Sequence, residues 1–400
     1  PCRGRPRSTA GCRTPRSRGP APAGGPALHE ARRHTLLAVL LRVASPTRAP
    51  ASRCSPCWTS PGSAPCASGS ATTAWVDAGV TLGEVYYAVG RCVLEGRRQR
   101  LCGGIGVTMR KYCNGGDNVA DARIVTADGK LLDGRAAKGE DLFWAIRGGG
   151  GESFGVVVAY QLKLSAVPST VTVFNIVRTI EQGVAGLLAK WENTDPLVPD
   201  DLTIRVVLWG RQALFQALFL GRCSRLVLTM RGVFPELGMT AADCREMSWL
   251  RAMTFIGFGN EQAPPETMLN RTNSLQGAEF KSKSDYVRRA VGEAGWAAIY
   301  GQWLTPSAAT AGLIMILEPH GGKVGTETTD DFTPYPPRQC VLFNIQYGVS
   351  WPRGADRSSA LGWIRSFKAF QAQFVTSNQQ PQGGVRELSR PGPRPERGRC

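Results

Sequence analysis

The chain reads as an α+β protein with a substantial antiparallel sheet, and three observations carry that reading. "ARIVTADGKLLDG" (122–134) is two short apolar runs around an Asp-Gly pair, a strong hairpin signal. "GEDLFWAIRGGGGESFGVVVAY" (139–160) places four glycines between a helical pattern and a strand pattern. After Pro168, strand and helix patterns alternate to the end of the ordered texture, with strands too numerous for a helical bundle.

The elements follow in order. "AWVDAGVTLGEVYYAVG" (74–90) predicts a strand, a turn and an amphipathic helix starting near Thr81. The helix in "GEDLFWAIR" has Asp141 near its start, favourable to its dipole, and glycines at its end. "FGVVVAYQLKL" (154–164) is a strand on which Val156, Val158, Tyr160, Leu162 and Leu164 share a face. "TVTVFNIVRT", "GVAGLLAKWENT" and "DLTIRVVLWG" then give strand, helix and strand, and "ALFQALFLGRCSRLVLTMRGVFPELG" continues in kind. "GLIMILEPHGGKV" and "RQCVLFNIQYGVSWP" add late strands, and "RSSALGWIRSFKAFQAQFVTSN" is a helix with an apolar stripe at Leu361, Ile364, Phe367 and Phe370.

The glycine run is not a nucleotide loop of the usual kinds. Rossmann and Walker glycines follow a strand and open a helix, whose amides hold phosphate. Here they follow a helix and enter a strand, and no Gly-Lys-Ser or Gly-Lys-Thr is present. Two readings stay open, a tight helix-to-strand connection or a flat cofactor lying on bare peptide.

A chain of 400 residues with 42% hydrophobic residues can build two domains. Its net charge of +17 invites nucleic acid, but sixteen of those charges lie in residues 1–73, 91–100 and 384–400. Those segments mix Arg with Pro, Gly, Ser and Cys and lack stacking rings, which argues against a nucleic-acid partner. Seven of the twelve cysteines also fall before residue 103, and the Cys54–Cys57 pair has no second pair at zinc spacing. With three histidines in the chain, no metal is expected. No apolar run is long enough to span a membrane, and "TLLAVLLRVA" (35–44) is at most a signal-peptide remnant.

In "LFNIQYGVSW" strict alternation puts Asn344 and Gln346 on one face and Ile345, Tyr347, Val349 and Trp351 on the other. A polar stripe on an apolar strand is either a pocket lining or a solvated face. His320 in "EPHGG" reads better as a surface loop residue than as a pocket one. Tyr112 in "MRKY" is a catalytic candidate, although a core tyrosine fits the pattern better.

Several long segments, in order, resemble the plant berberine-bridge-enzyme-like oxidases of the vanillyl-alcohol-oxidase superfamily. They are "WVDAGVTLGEVYYAVG", "MRKYCNGGDNVADARIVTADGKLLDG", "GEDLFWAIRGGGGESFGVVVAYQLKLSAVPSTVTVF", "PPETMLNRT", "FKSKSDYV" and "LFNIQYGVSW". The resemblance implies a two-domain PCMH-type FAD-binding fold with an α+β substrate domain. It divides the chain into an anomalous, disordered segment (1–73), a partial FAD-binding domain (74–168) and a substrate domain (169–365). A return to the FAD-binding domain (366–383) and an anomalous tail (384–400) follow.

The resemblance also implies FAD as cofactor. Asp117, Asn118, Val119, Gly148, Gly149, Gly150, Gly151, Phe154, Gly155, Val156 and Val157 then lie on the cofactor side. Gln346 occupies the family's active-site Gln or Glu position. The implied reaction removes hydride from an alcohol, sugar or related small molecule, with O2 or another acceptor reoxidising the flavin. A secreted or cell-wall monomer is expected, and Asn270-Arg-Thr is a glycosylation sequon compatible with that route.

The chain departs from the family at three motifs. The segment supplying a flavin-linking His is absent, and the central motif survives as "CVLEGRRQRLCGGIG" (92–106), where Cys92 has the spacing of a second flavin link. The C-terminal "YVNYRDLDLG" is also missing. Codons chosen for "VRELSRPGPRP" (385–395) and read one base later spell Tyr-Val-Asn-Tyr-Arg-Asp-Leu-Asp-Leu-Gly, and residues 53–68 behave alike. Both flanks therefore read as out-of-frame translations, which sequencing of the transcript checks. The expectation is a better-ordered 169–370 with weak flavin binding, and the alternative function is a defective, non-enzymatic member.

Overall fold

A computed structural model describes residues 73–94, 99–101, 106–149, 153–271, 278–304, 312–329, 331–335 and 337–375. Apart from Thr73, the flanks read as out of frame fall outside these residues.

The first lobe is built on a four-stranded antiparallel sheet in the order β1-β5-β3-β4, formed by β1 (Thr73–Asp77), β3 (Val119–Val125), β4 (Leu131–Asp133) and β5 (Val156–Lys163). A short pair, β2 (Gln99–Leu101) and β6 (Ser165–Val167), lies beside it. Helix α1 (Leu82–Leu94) opens where the sequence signals it. The Thr81 hydroxyl accepts from the Glu84 amide at 3.3 Å while the Glu84 carboxylate accepts from the Thr81 amide at 2.7 Å, a capping box. Helix α2 is the single turn Met109–Tyr112. Helix α3 (Arg135–Ala145) is broken at Gly139, φ 69°, so the helix expected from the sequence follows an extra turn.

One expectation for β5 needs correction. A bulge between the pairs Arg123–Ala159 and Ile124–Val157 shifts the alternation by one residue. Val157 therefore joins Tyr160 and Leu162 in the apolar cluster of Ile124, Phe143 and Ile146, while Val156 and Val158 face outward.

The second lobe is a seven-stranded antiparallel sheet in the order β10-β7-β9-β8-β12-β13-β11. Its strands are β7 (Val171–Thr179), β8 (Leu202–Trp209), β9 (Gln212–Phe219), β10 (Arg245–Met247), β11 (Ala278–Val287), β12 (Gly312–Pro319) and β13 (Phe343–Pro352). One face carries α4 (Val184–Thr194), α5 (Cys223–Val233), α7 (Gly292–Trp303) and α9 (Ser358–Gln371) over the main core. Ile345, Tyr347, Val349 and Trp351 enter that core, as the β13 alternation predicts.

Phe367 and Val375 enter the same core. The described part of 366–383 therefore packs on the large sheet rather than returning to the first lobe, because the stripe on α9 continues unbroken. A disulfide between Cys223 and Cys244 ties α5 to the start of β10.

The second face of the large sheet meets the first lobe. Helix α6 (Trp249–Phe258) covers one end of it, where Trp249, Leu250 and Met253 pack on Val171, Val173 and Leu218, with Tyr86, Tyr87 and Tyr112 alongside. Helix α8 (Gly322–Thr326) follows β12 and lies against α2.

Candidate active site

Across the second face the register lines up one residue from each of six strands. Asn175 pairs with Gln216, Gln216 with Arg205, Glu318 with Asn344, and Asn344 with Tyr286. The β8–β12 register completes the row by bringing Arg205 beside Glu318. Gln216 Nε2 donates to Asn175 at 2.9 Å, Arg205 Nε donates to Gln216 Oε1 at 2.9 Å, and Arg205 Nη1 donates to Glu318 Oε1 at 3.1 Å. Arg205, Gln216 and Glu318 are all buried, and burial raises the Glu318 pKa even with Arg205 beside it. Arg205 Nη2 has no partner, so a buried cationic N–H is left over.

The next row over is apolar until its end. Leu214, Val207 and Ile316 form a small cluster, and Gln346 follows Ile316 across the β12–β13 pairing. Gln346 is half-buried and Asn344 is buried on the same face. Gln346 thus sits where an apolar patch and a buried polar row meet, a layout suited to holding a small molecule with an apolar body and polar oxygens.

His320 is fully buried, against the surface-loop reading. It follows β12 directly, its amide donates to Leu342 O at 2.9 Å, and its carbonyl accepts from Arg110 Nη1, which leaves no loop to expose it. Its Nε2 lies 2.8 Å from the Tyr335 hydroxyl, and burial holds the imidazole down at about 4.

Of the residues expected on the cofactor side, Gly148 and Asp117 meet the 334–338 segment, while Val119 and Val157 lie in the first lobe's apolar cluster. Gly148 and Gly149 are exposed on one side. On the other, a Cβ at Gly148 would stand 3.1 Å from the Pro334 carbonyl oxygen, and one at Gly149 would stand 2.8 Å from that of Ala145. Part of the glycine requirement is thus a close approach of the protein to itself. Gly155 has φ 142°, and a Cβ there would overlap the Val125 carbonyl oxygen. Gly150 and Gly151 lie outside the described residues, as does the side chain of Cys92.

Asp117 is buried and spent on protein. Its oxygens accept from Arg338 Nη1 at 2.8 Å and Arg338 Nη2 at 2.5 Å, and from the Asn114 amide at 3.1 Å. Asn118 Nδ2 donates to the carbonyls of Tyr112 and Asn114 at 2.7 and 2.9 Å. Tyr112 donates its hydroxyl to Ala166 O at 2.7 Å, and its burial raises its pKa. Val119 is core.

FAD fits one part of this surface. A Cβ at the exposed Gly149 would stand 3.6 Å from the Phe154 ring, and Phe154, Val156 and Val158, further along the chain, are 41%, 66% and 38% exposed. Bare backbone next to apolar side chains suits a flat ring. Among the described residues no group of three or more His, Cys, Asp or Glu side chains could hold a metal ion, and no helix is long and apolar enough to cross a membrane.

Two antiparallel sheets meeting along such a seam, the larger offering a polar row and the smaller an exposed glycine edge, form the architecture of PCMH-type FAD-linked oxidoreductases. The chain belongs to the berberine bridge enzyme-like family, whose members are FAD-linked flavoenzymes. It is 42% identical over 322 residues to berberine bridge enzyme-like Cyn d 4 of Cynodon dactylon, covering 78% of this chain and 60% of that protein. It is 38% identical over 330 residues to monolignol oxidoreductase AtBBE-like 13 of Arabidopsis thaliana, covering 76% of this chain and 60% of that protein.

Among solved structures, Phl p 4, a grass pollen allergen with glucose dehydrogenase activity, superposes with a TM-score of 0.71 at 39% identity, covering 78% of this chain and 65% of that one. No family model matches the chain. The chain spans about 60% of the length of the curated relatives it matches.

Sequence reasoning missed Arg205, Glu318, Gln216, Arg110 and Arg338. The first three carried a legible signal, since each is a charged or amide side chain flanked on both sides by apolar residues of its strand.

Proposed function

We propose that the chain is an FAD-dependent oxidoreductase acting on a hydroxyl of a small alcohol or sugar. The observation that carries it is the buried row Asn175–Gln216–Arg205–Glu318–Asn344 ending beside Gln346, on the face turned to the seam. A row of this kind costs desolvation and is retained where it does work. Bound FAD supplies the hydride acceptor, with O2 or another molecule reoxidising it. Gly148, Gly149, Phe154 and Val156 would hold it by contact, and Asp117, Asn118 and Tyr112 brace the peptide behind.

The chain's own residues then orient the substrate. The Gln346 carboxamide hydrogen-bonds the reacting oxygen but has no basic site, so the proton that oxygen loses as hydride leaves its carbon passes to solvent. Arg205 Nη2 offers the buried row's unpaired N–H to a second oxygen. Ile316, Val207 and Leu214 exclude water beside them. The relatives named above, a glucose dehydrogenase and a monolignol oxidoreductase, bracket the class as small hydroxylated molecules. The Cys223–Cys244 disulfide and the exposed Asn270 of the sequon support a secretory, oxidising route, and we read the protein as a monomer without nucleic-acid partners.

One observation favours a second reading, a family fold without flavin. Both described polar side chains expected on the cofactor side, Asp117 and Asn118, are already bonded to protein, and so is the catalytic candidate Tyr112. Titrating the purified chain with FAD decides. The oxidase reading expects quenching of flavin fluorescence, a flavin spectrum that stays with the protein through gel filtration, and bleaching by an alcohol or sugar without air. Flavin that elutes free at every concentration establishes the second reading.

A further inference from the structure

A substrate hydroxyl that loses its proton beside Gln346 needs a carrier for it. Gln346 has no basic site, and Ile316, Val207 and Leu214 keep water away on one side. Asn175, Gln216 and Asn344 of the buried row are amides, Arg205 is a cation, and the Tyr286 phenol ends the row. Glu318 is the one carboxylate in that row, and the next row, from Val177 to Ser284, has none.

The register puts Glu318 within reach. Ile316 pairs with Gln346, and Glu318 with Asn344. Met315, Leu317, Ile345 and Tyr347 fill the main core, so Glu318 and Gln346 share the opposite face as diagonal neighbours. Such neighbours stand about 7 Å apart, within reach of long side chains. Arg205 Nη1 holds Glu318 Oε1 at 3.1 Å. Oε2 has no hydrogen bond to a described residue, and 7% of the side chain stays open. Burial raises the Glu318 pKa against the pull of Arg205, the direction that suits a proton acceptor. His320, two residues past Glu318, is a row further from Gln346 and already bonded to Tyr335.

We propose that Glu318 is the catalytic base, its Oε2 taking the hydroxyl proton of the alcohol that Gln346 orients. It rests on the oxidase reading. The O–H bond breaks and its proton joins Oε2. The C–H bond breaks with its electron pair, which leaves as hydride to the flavin, and the carbonyl double bond forms. Glu318 then passes the proton to solvent. Arg205 is a positioning residue, since it fixes Oε1 and leaves Oε2 to the ligand.

Two measurements on the full chain loaded with FAD test this. The first follows flavin reduction by cinnamyl alcohol without air. Glu318→Gln keeps an oxygen that accepts from Arg205 but is no base. Its reduction rate should fall about a hundredfold or more, and the parent's rise in rate with pH should flatten. Glu318→Asp, which keeps a shorter base, should keep that rise. A Glu318→Gln rate within about threefold of the parent overturns the proposal.

The second needs no turnover. It compares binding of cinnamyl alcohol and cinnamylamine to the dithionite-reduced protein without air at about pH 7, where the amine is an ammonium ion. A charge-assisted bond to Glu318 predicts that affinity for the amine relative to the alcohol falls about tenfold or more in Glu318→Gln. An unchanged ratio overturns the proposal, as does binding of neither probe. FAD titration of the same samples separates the two readings. Flavin that stays bound leaves the oxidase reading standing, and flavin that elutes free takes both down.

Discussion

Gly155 shows how a residue's conformation outlives any single functional reading of it. Its φ of 142° is open to glycine and strained for other residues, and a Cβ would run into the Val125 carbonyl across the β3–β5 pairing. Gly155→Ala is therefore expected to lower stability by about 2–3 kcal/mol, read as a shift in urea midpoint at constant slope. A midpoint within error of the parent would show that the strand relaxes to take the methyl group. The glycines were legible in the sequence as a close approach, but not what approaches. The answering atoms belong to Val125, Ala145 and Pro334, and Pro334 lies nearly two hundred residues away. His320 was misread for a similar reason. Nothing in "EPHGG" reveals that Arg110 of the other lobe reaches its carbonyl oxygen.

At the scale of elements, strands whose faces differ sharply were readable, and irregularities were not. The alternation in β13 placed four apolar side chains in the core and Gln346 opposite. In β5 a bulge reversed it, and no residue type there announces a bulge. Helix starts depended on what caps them. Thr81 and Glu84 form a local box, visible at three-residue spacing. Helix α7 instead takes its cap from another helix. Glu192 of α4 accepts from the Val291 and Gly292 amides at 2.9 and 2.7 Å and from Trp296 Nε1 at 3.2 Å. Burial raises the Glu192 pKa, against those three bonds. Glu192→Ala leaves three donors without a partner at a helix N-terminus and should cost about 2–4 kcal/mol. Glu192→Gln, which retains an acceptor oxygen, should cost about half as much. Equal losses from both would show that charge rather than bonding supports the cap.

At the scale of the whole molecule, the two lobes are joined by buried charges that no local pattern reveals. Arg110 of α2 crosses the seam to Asp195 at 2.9 Å, to the Val198 carbonyl at 3.0 Å and to that of His320. Arg338 grips Asp117, while Arg271–Glu84 and Lys111–Asp201 close the rim. The buried joint makes the stability depend on pH with two opposed contributions. Burial pushes Asp195 up to about 7, with Arg110 pulling it down, whereas burial pushes His320 down to about 4, with Arg110 and Arg288 acting in the same direction. Between about pH 4 and pH 7 the folded state keeps a proton on Asp195 that the unfolded chain has lost, so this part of the stability is full at low pH and fades as pH rises. Between about pH 4 and 6.5 the unfolded chain instead binds a proton at His320 that the folded state refuses, so that part fades as pH falls. Each has a limiting slope of about 1.4 kcal/mol per pH unit, and with opposite signs they largely cancel in the parent. Removing either partner should expose the other. Relative to the parent, Asp195→Asn should gain stability as pH rises from 4.5 to 6.5, and His320→Gln should lose it over the same interval, both read by urea unfolding. If both difference curves ran flat, neither group would be held away from its ordinary pKa, and the seam would be hydrated rather than the dry joint that couples the lobes.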